Sequence, residues 1–184
     1  MQKREDLKKS LKQFFGFSNF KGLQEPVILN LLNGNDTFVI MPTGGGKSMC
    51  YQLPALLCPG TALVVSPLIA LMKNQVDTIR GISTNSGIAH VLNSSQNKTE
   101  TLNVKQDLIN GVTKLLFVAP ESLAKKEIID FFKTIKISFL AVDEAHCISE
   151  WSHNFRTSYL IIEKLIQRYL KSDTILALTA TATH

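Results

Sequence analysis

The chain has 184 residues, of which 45% are hydrophobic and 19% are charged. This length and composition predict one globular domain with a sizeable core and exclude a disordered chain. The formal net charge of +5 is compatible with a nucleic acid partner but only weakly favours one, because the lysines form no long cluster. No apolar run approaches the roughly 20 residues that span a bilayer, so no membrane partner is expected.

Apolar spacing and turn residues predict helices and strands that alternate along the chain. The first helix places Leu7, Leu11, Phe14 and Phe15 on one face and ends at Gly16. Further helices are expected over residues 22–33, 49–57, 67–81, 96–110, 123–133 and 159–170, the fourth of these capped by Ser94 or Ser95. Strands are expected over residues 37–40, 61–66, 88–92, 114–118, 137–142 and 174–178.

This alternation is typical of an α/β domain, with a parallel sheet covered by helices on both faces. Ligands of such domains bind outside the carboxyl ends of the strands. The loops that follow Ile40, Val65, Val118, Val142 and Leu178 all belong to that edge. The sequence therefore predicts a ligand site where these loops meet.

Residues 41–48 read Met-Pro-Thr-Gly-Gly-Gly-Lys-Ser and lie between the first strand and the third helix. Glycines let backbone N–H groups approach an anion closely, and a helix N-terminus adds positive partial charge. In such a loop Lys47 would reach the β- and γ-phosphates of a nucleotide, and the Ser48 hydroxyl would ligate Mg²⁺. The strict phosphate-loop pattern has glycine where this chain has Met41, so a glycine-rich turn without a ligand is the alternative.

Asp143 and Glu144 follow the fifth predicted strand. An aspartate at a strand end holds Mg²⁺ in phosphate-loop proteins, and the adjacent glutamate is placed to orient and deprotonate water. Taken alone, the two acids could equally cap the following helix. Together with the Gly-Lys-Ser loop, they indicate a nucleoside triphosphatase.

Four segments resemble the RecQ family of DNA helicases, which belongs to superfamily 2. They are the phosphate loop itself, Val-Val-Ser-Pro-Leu-Ile-Ala-Leu-Met-Lys-Asn-Gln-Val at 64–76, Asp-Glu-Ala-His-Cys-Ile-Ser-Glu-Trp-Ser-His-Asn-Phe-Arg at 143–156, and Ala-Leu-Thr-Ala-Thr-Ala at 177–182. The resemblance extends from about Phe14 to the last residue and includes a methionine at position 41. It implies a RecA-like fold with a mostly parallel sheet of six or seven strands.

The resemblance also implies an activity. Hydrolysis of ATP with Mg²⁺ would drive 3′-to-5′ unwinding of duplex DNA in repair and recombination. The expected partners are single-stranded and duplex DNA, and the expected state is a monomer.

Three scattered cysteines, Cys50, Cys58 and Cys147, favour reduced thiols in an intracellular compartment over a disulfide framework or a zinc site. The expected location is the bacterial cytoplasm, with the nucleoid, or the eukaryotic nucleus.

By resemblance, Phe17, Lys21 and Gln24 form the adenine-recognition segment. The family usually has tyrosine and arginine in place of Phe17 and Lys21, and lysine has no planar guanidinium to stack on the base, so weaker adenine binding is expected. For Phe17, packing in the core is the alternative. The other implied nucleotide and catalytic residues are Thr43, Gly44, Gly45, Gly46, Lys47 and Ser48 of the loop, then Asp143, Glu144 and His146.

An aromatic-rich loop at 149–156 matches the family segment that couples DNA binding to hydrolysis. Trp151 and Phe155 could stack on bases, Arg156 could pair with phosphate, and His153 would share in the coupling. The alternatives are a core position for Trp151 and a structural role for His146. Ser152, Asn154 and Thr157 stand where the family commonly has glycine, aspartate and proline, which leaves the strength of coupling open.

Other matched positions are less specific. Ser66 and residues 119–122 match segments that touch the DNA backbone, although capped turns explain them equally well. Thr179 and Thr181 match the segment that links hydrolysis to strand separation, and hydroxyls at a strand end could also have no such role.

The family places a second RecA-like lobe, a zinc-binding module and a winged helix downstream. Residues 1–184 are therefore expected to form the first RecA-like lobe, with very weak activity by itself. Two other functions remain open, an RNA helicase of the same superfamily and a non-catalytic DNA-binding module gated by nucleotide.

Overall fold

A computed structural model describes residues 2–93, 96–145 and 174–180. The helices are α1 Gln2–Phe15, α2 Gln24–Leu32, α3 Met49–Leu57, α4 Ile69–Gly81, α5 Lys98–Ile109 and α6 Lys126–Phe132. The strands are β1 Thr37–Ile40, β2 Thr61–Val65, β3 Ala89–Leu92, β4 Leu115–Val118, β5 Ile137–Val142 and β6 Thr174–Thr179. Short 3-10 turns, Ser86–Ile88 and Pro120–Ala124, precede β3 and α6. None of the helices within these ranges is long and apolar enough to cross a membrane.

The six strands form one sheet in the order β1-β6-β5-β2-β4-β3, and every neighbouring pair is parallel. Such a sheet brings the carboxyl ends of all its strands to one edge. The predicted RecA-like α/β architecture is confirmed.

Helices cover both faces of the sheet. On one face α2, α3 and α4 pack against alternate strand residues such as Val64, Phe117 and Ala141. The neighbouring residues in sequence, among them Leu63 and Leu140, point to the opposite face, where α5 and α6 cover them. Strands covered on both sides need apolar residues at every position, and β2 and β4 are buried throughout.

Four helix starts differ from the expectation, the first being that of α2, which begins at Gln24 rather than at residue 22. Helix α4 begins at Ile69 because the backbone of Leu68 is still extended. The cap of α5 is Asn97 rather than Ser94 or Ser95, and its side chain and that of Glu100 form a reciprocal capping box. The segment after residue 119 divides into the 3-10 turn and α6. The helix expected over residues 159–170 lies outside the described residues.

Candidate functional site

The phosphate loop and the two acids meet at the carboxyl edge of the sheet. The Met41 amide donates to the Thr179 carbonyl at 3.0 Å, which joins the loop after β1 to the end of β6. The Ala145 amide donates to the Leu178 carbonyl at 2.8 Å, which joins β6 to the loop after β5. The predicted convergence of these loops is therefore confirmed for the described part of the chain.

The loop itself is tight, and its conformation requires glycine. Gly44 and Gly46 have φ of +80° and +78°, a region that L-residues rarely adopt. A Cβ on Gly45 would lie 2.9 Å from the Pro42 carbonyl oxygen, which also accepts the Gly45 amide at 2.9 Å. A side chain at any of the three glycines would therefore be strained or would collide with the loop.

Lys47 extends from this loop to Glu144. Its Nζ lies 3.5 Å from Glu144 Oε1, with 11% of the lysine side chain and 21% of the glutamate side chain exposed. Glu144 has φ of +52°, the one positive value on a residue other than glycine in the described ranges. Such backbone strain concentrates at functional sites. The Glu144 amide donates to Asp143 Oδ1 at 3.0 Å, and Asp143 is buried.

The residues present fit Mg²⁺ with a bound nucleotide. Mg²⁺ prefers hard oxygen ligands and usually takes only one or two from the protein beside phosphate and water. The buried Asp143 carboxylate could supply one such ligand. Ser48 could supply another, since it precedes α3 at the N-cap position without a side-chain capping bond. The positive φ of Gly44 and Gly46 and the start of α3 directly after the loop are typical of a phosphate-binding loop.

A cavity of about 260 Å³ adjoins the loop, and the predicted base-binding residues line it together with Gly46 and Ser48. Gln24 links the two parts: its Nε2 donates to the Gly46 carbonyl at 3.0 Å, and its Oε1 accepts the Lys21 amide at 2.8 Å. Phe17 is 53% exposed, so it is not a core residue. The structure thus brings Phe17, Lys21 and Gln24 together beside the phosphate loop.

The profile of DEAD/DEAH box helicases matches residues 21–184. The chain belongs to the DEAD/DEAH box helicase family. The chain is 47% identical over 92% of its length to the ATP-dependent DNA helicase RecQ of Pasteurella multocida, of which it covers 26%. It is 42% identical over 97% of its length to the ATP-dependent DNA helicase Q-like 5 of Arabidopsis thaliana, of which it covers 19%.

These relatives confirm the resemblance to the RecQ family. The chain spans only about a fifth to a quarter of their length. Among solved structures, that of the DUF1998 helicase MrfA bound to DNA superposes with a TM-score of 0.78 at 16% identity. The match covers 97% of the present chain and 26% of the other chain. At this identity the match supports the RecA-like fold.

Ser66 and Thr179 are both buried, each with 1% of its surface exposed. The Ser66 side chain is therefore not at the surface, and its predicted contact with DNA stays a prediction, as does the predicted role of Thr179. Tyr51, buried in α3, is a residue that the sequence motifs did not identify. Burial raises the pKa of Tyr51 well above its ordinary value, and the charge of Asp143 raises it further.

A second cavity, of about 390 Å³, lies at the same carboxyl edge of the sheet, beyond the ends of β3 and β4. Lys98, Lys125 and Ser122 contribute to its lining. Ser122 belongs to the segment predicted to touch the DNA backbone, whereas the two lysines were not identified. Lysines at the starts of the two helices that follow β3 and β4 were the available signal.

The remaining predicted site residues lie outside the described residues. They are His146, Trp151, His153, Phe155, Arg156 and Thr181. Their roles in hydrolysis and in coupling stay predictions from the resemblance.

Proposed function

We propose that this chain is the ATP-binding lobe of a RecQ-type helicase, which hydrolyses ATP to unwind duplex DNA in the 3′-to-5′ direction during repair and recombination. The observation that carries the proposal is the 3.5 Å approach of Lys47 Nζ to Glu144 Oε1. This contact joins a phosphate loop to an acid pair that lies far away in sequence. The relatives, which are named as ATP-dependent DNA helicases, support the choice of reaction.

Each residue of the site has a distinct task. The loop amides and Lys47 bind the β- and γ-phosphates, while Glu144 orients the attacking water and accepts its proton. Ser48 and Asp143 would hold Mg²⁺, which when bound offsets the negative charge of the phosphate oxygens.

The ion pair itself suggests how nucleotide binding prepares the site. Lys47 and Glu144 are each largely buried and face one another. Phosphate oxygens are stronger partners for an ammonium group than a single carboxylate oxygen at 3.5 Å, because they carry more charge. Nucleotide binding would therefore draw Lys47 toward the phosphates and release Glu144 to accept a proton.

The test is ATP hydrolysis by the full-length protein, with single-stranded DNA as the activator. Glu144→Gln keeps the size of the side chain and removes the base, so turnover should fall by roughly 10² to 10⁴ while ATP binding is retained. Lys47→Ala should weaken ATP binding as well. Glu5→Gln, which removes the same charge from the exposed surface of α1, should change neither quantity.

Two other functions predict different results in the same assay. An RNA helicase would be stimulated by RNA and not by single-stranded DNA. A non-catalytic module gated by nucleotide would show the same activity with Glu144→Gln as without it. Either outcome would replace the proposed DNA helicase.

We further propose that residues 1–184 act as the first of two RecA-like lobes. A second lobe would bring an arginine finger to the ATP site, a contribution of about 10³ to 10⁵ in turnover. The part of the relatives that this chain does not cover leaves ample length for such a lobe. Purified residues 1–184 should therefore bind nucleotide and hydrolyse it very slowly, and normal turnover by them would contradict the second-lobe proposal.

The proposed DNA surface is the carboxyl edge of the sheet. Lys98 and Lys125 outnumber Glu127 among the charged residues that line the 390 Å³ cavity, so its net charge is positive, which suits a phosphate backbone. Charge reversal at Lys98 should weaken binding of single-stranded DNA and reduce its dependence on salt.

A further inference from the structure

Two buried residues with hydroxyl groups, Tyr51 and Ser66, are backbone neighbours of the proposed Mg²⁺ ligands Ser48 and Asp143. Ser66 and Asp143 directly follow Val65 and Val142, which are register partners in β2 and β5, and the Asp143 amide donates to the Val65 carbonyl at 2.9 Å. Side chains alternate along a strand. Ser66 and Asp143 therefore lie side by side, on the sheet face that α3 covers.

Tyr51 belongs to α3 and packs on the same face of the sheet. It lies one helical turn after Ser48, its amide donates to the Ser48 carbonyl at 3.2 Å, and it is 1% exposed. Its ring meets that of Phe117 edge-on, with centroids 6.1 Å apart and planes at 75°. This contact holds the ring rigidly over the sheet.

Neither hydroxyl has a hydrogen-bond partner among the described residues. A buried polar group without a partner destabilises the fold, and such groups in native proteins call for an explanation. Phenylalanine and alanine would fill the same space without this cost. Ser122 and Ser138 also have buried hydroxyls without a partner, but Tyr51 and Ser66 adjoin Ser48 and Asp143, and this position points to a ligand-bound state in which their hydroxyls have a use.

We propose that Tyr51 is a positioning residue for Asp143. With nucleotide and Mg²⁺ bound, the Tyr51 hydroxyl donates a hydrogen bond to the Asp143 carboxylate or to a water that this carboxylate holds, and the Ser66 hydroxyl supports the carboxylate from the neighbouring strand. The inference rests on the proposed function, since it concerns the same nucleotide site.

The physical reason is the strict geometry of Mg²⁺. Its ligands must be close to octahedral positions, so a carboxylate that can rotate binds it less well than one that is held. Hydrogen bonds to metal-binding carboxylates fix their orientation, and losing one commonly weakens metal binding. Tyr51 lies one turn after Ser48 at the start of α3. The same helix would therefore position both proposed ligands, Ser48 directly and Asp143 through Tyr51.

The test compares nucleotide binding with and without Mg²⁺ in the full-length protein. A fluorescent ADP analogue reports the dissociation constant in EDTA and the Mg²⁺ concentration that gives half of the metal-dependent gain in affinity. ADP is used because it is not hydrolysed. Thermal unfolding of the nucleotide-free protein shows whether each variant is folded.

For Tyr51→Phe we expect the half-effective Mg²⁺ concentration to rise roughly three- to tenfold, the equivalent of one hydrogen bond. Affinity in EDTA and the unfolding temperature should not fall, because the hydroxyl has no protein partner before the metal binds. Ser66→Ala should shift the Mg²⁺ requirement in the same direction. It also provides an independent measurement if Tyr51→Phe is poorly folded.

Ser138→Ala is the matched control, because the Ser138 hydroxyl is also buried without a partner but lies near the opposite end of β5. It should leave the Mg²⁺ requirement unchanged. If Tyr51→Phe and Ser66→Ala both bind Mg²⁺ and nucleotide as the wild type does, the positioning role is wrong while the proposed function stands. If the wild type shows no metal-dependent nucleotide binding, both are overturned.

Discussion

Replacing Gly46 by alanine tests the link between the phosphate loop and the base-binding segment. The new Cβ would lie 2.3 Å from Gln24 Nε2, a distance at which the amide must move. Gln24 has little freedom to do so, because it is 5% exposed and held at both ends, by the Gly46 carbonyl and by the Lys21 amide. Gly46→Ala should therefore break the bond between Gln24 and the loop.

Gly44→Ala separates this collision from backbone strain. The two glycines have nearly equal φ, and nothing lies within 4 Å of a Cβ on Gly44. Placing alanine in this left-handed region costs roughly 1–2 kcal/mol at either position. Leaving the buried Gln24 amide unsatisfied costs roughly a further 1–3 kcal/mol. Gly46→Ala should therefore destabilise the nucleotide-free protein by that additional amount.

Urea unfolding without nucleotide measures both variants, and Gln24→Ala completes the test. Once the glutamine side chain is absent, the two glycine substitutions should cost the same free energy of unfolding. Equal costs in the wild-type background would show that the Gln24 bond contributes nothing. A difference that persists in Gln24→Ala would show that its cause is the loop backbone.

Two further predictions follow from buried ionisable groups. Burial lowers the pKa of His90 below its ordinary 6.5. The Asp107 carboxylate, 2.8 Å from Nε2, opposes this shift, and Arg80 Nη2, 3.0 Å from Nδ1, adds to it. The net shift is downward, so the unfolded chain binds this proton more readily. The free energy of unfolding should fall as pH decreases through about 6.5, and His90→Gln should flatten that part of the pH profile, whereas an unchanged profile would contradict the assignment. Burial raises the pKa of Cys50 to about 12, so its thiol should react slowly. Peptide mapping after alkylation at pH 8 should find the half-buried Cys58 modified well before Cys50. Equal labelling of the two cysteines in the native protein would contradict this expectation.

Much of the local structure was predictable from sequence. The bounds of β1, α3 and β5 agree with the expectation at both ends, because each is an apolar segment flanked by turn or loop residues. The cap of α5 was wrong for a clear reason. Several polar residues in succession, Ser94 to Asn97, can all cap a helix, and the reciprocal bonds with Glu100, three residues further on, select Asn97.

The site shows the same division. The chemistry of Lys47, Ser48, Asp143 and Glu144 was readable from the motifs, because phosphate and Mg²⁺ binding need particular side chains at particular spacings in the loop. The pairing of Lys47 with Glu144 was not readable, since it depends on β6 lying between β1 and β5. Strand order is set by crossovers that leave no mark in a single strand.

The sequence by itself determined the fold class, the phosphate loop and the acid pair, because periodicity and motif spacing are local properties. Tertiary structure alone decided that Gln24 holds the Gly46 carbonyl, that the Ser66 side chain is buried, and that the buried Tyr51 hydroxyl has no hydrogen-bond partner among the described residues. Burial and contact arise from segments that are distant in sequence, and they depend on how the helices pack on the sheet.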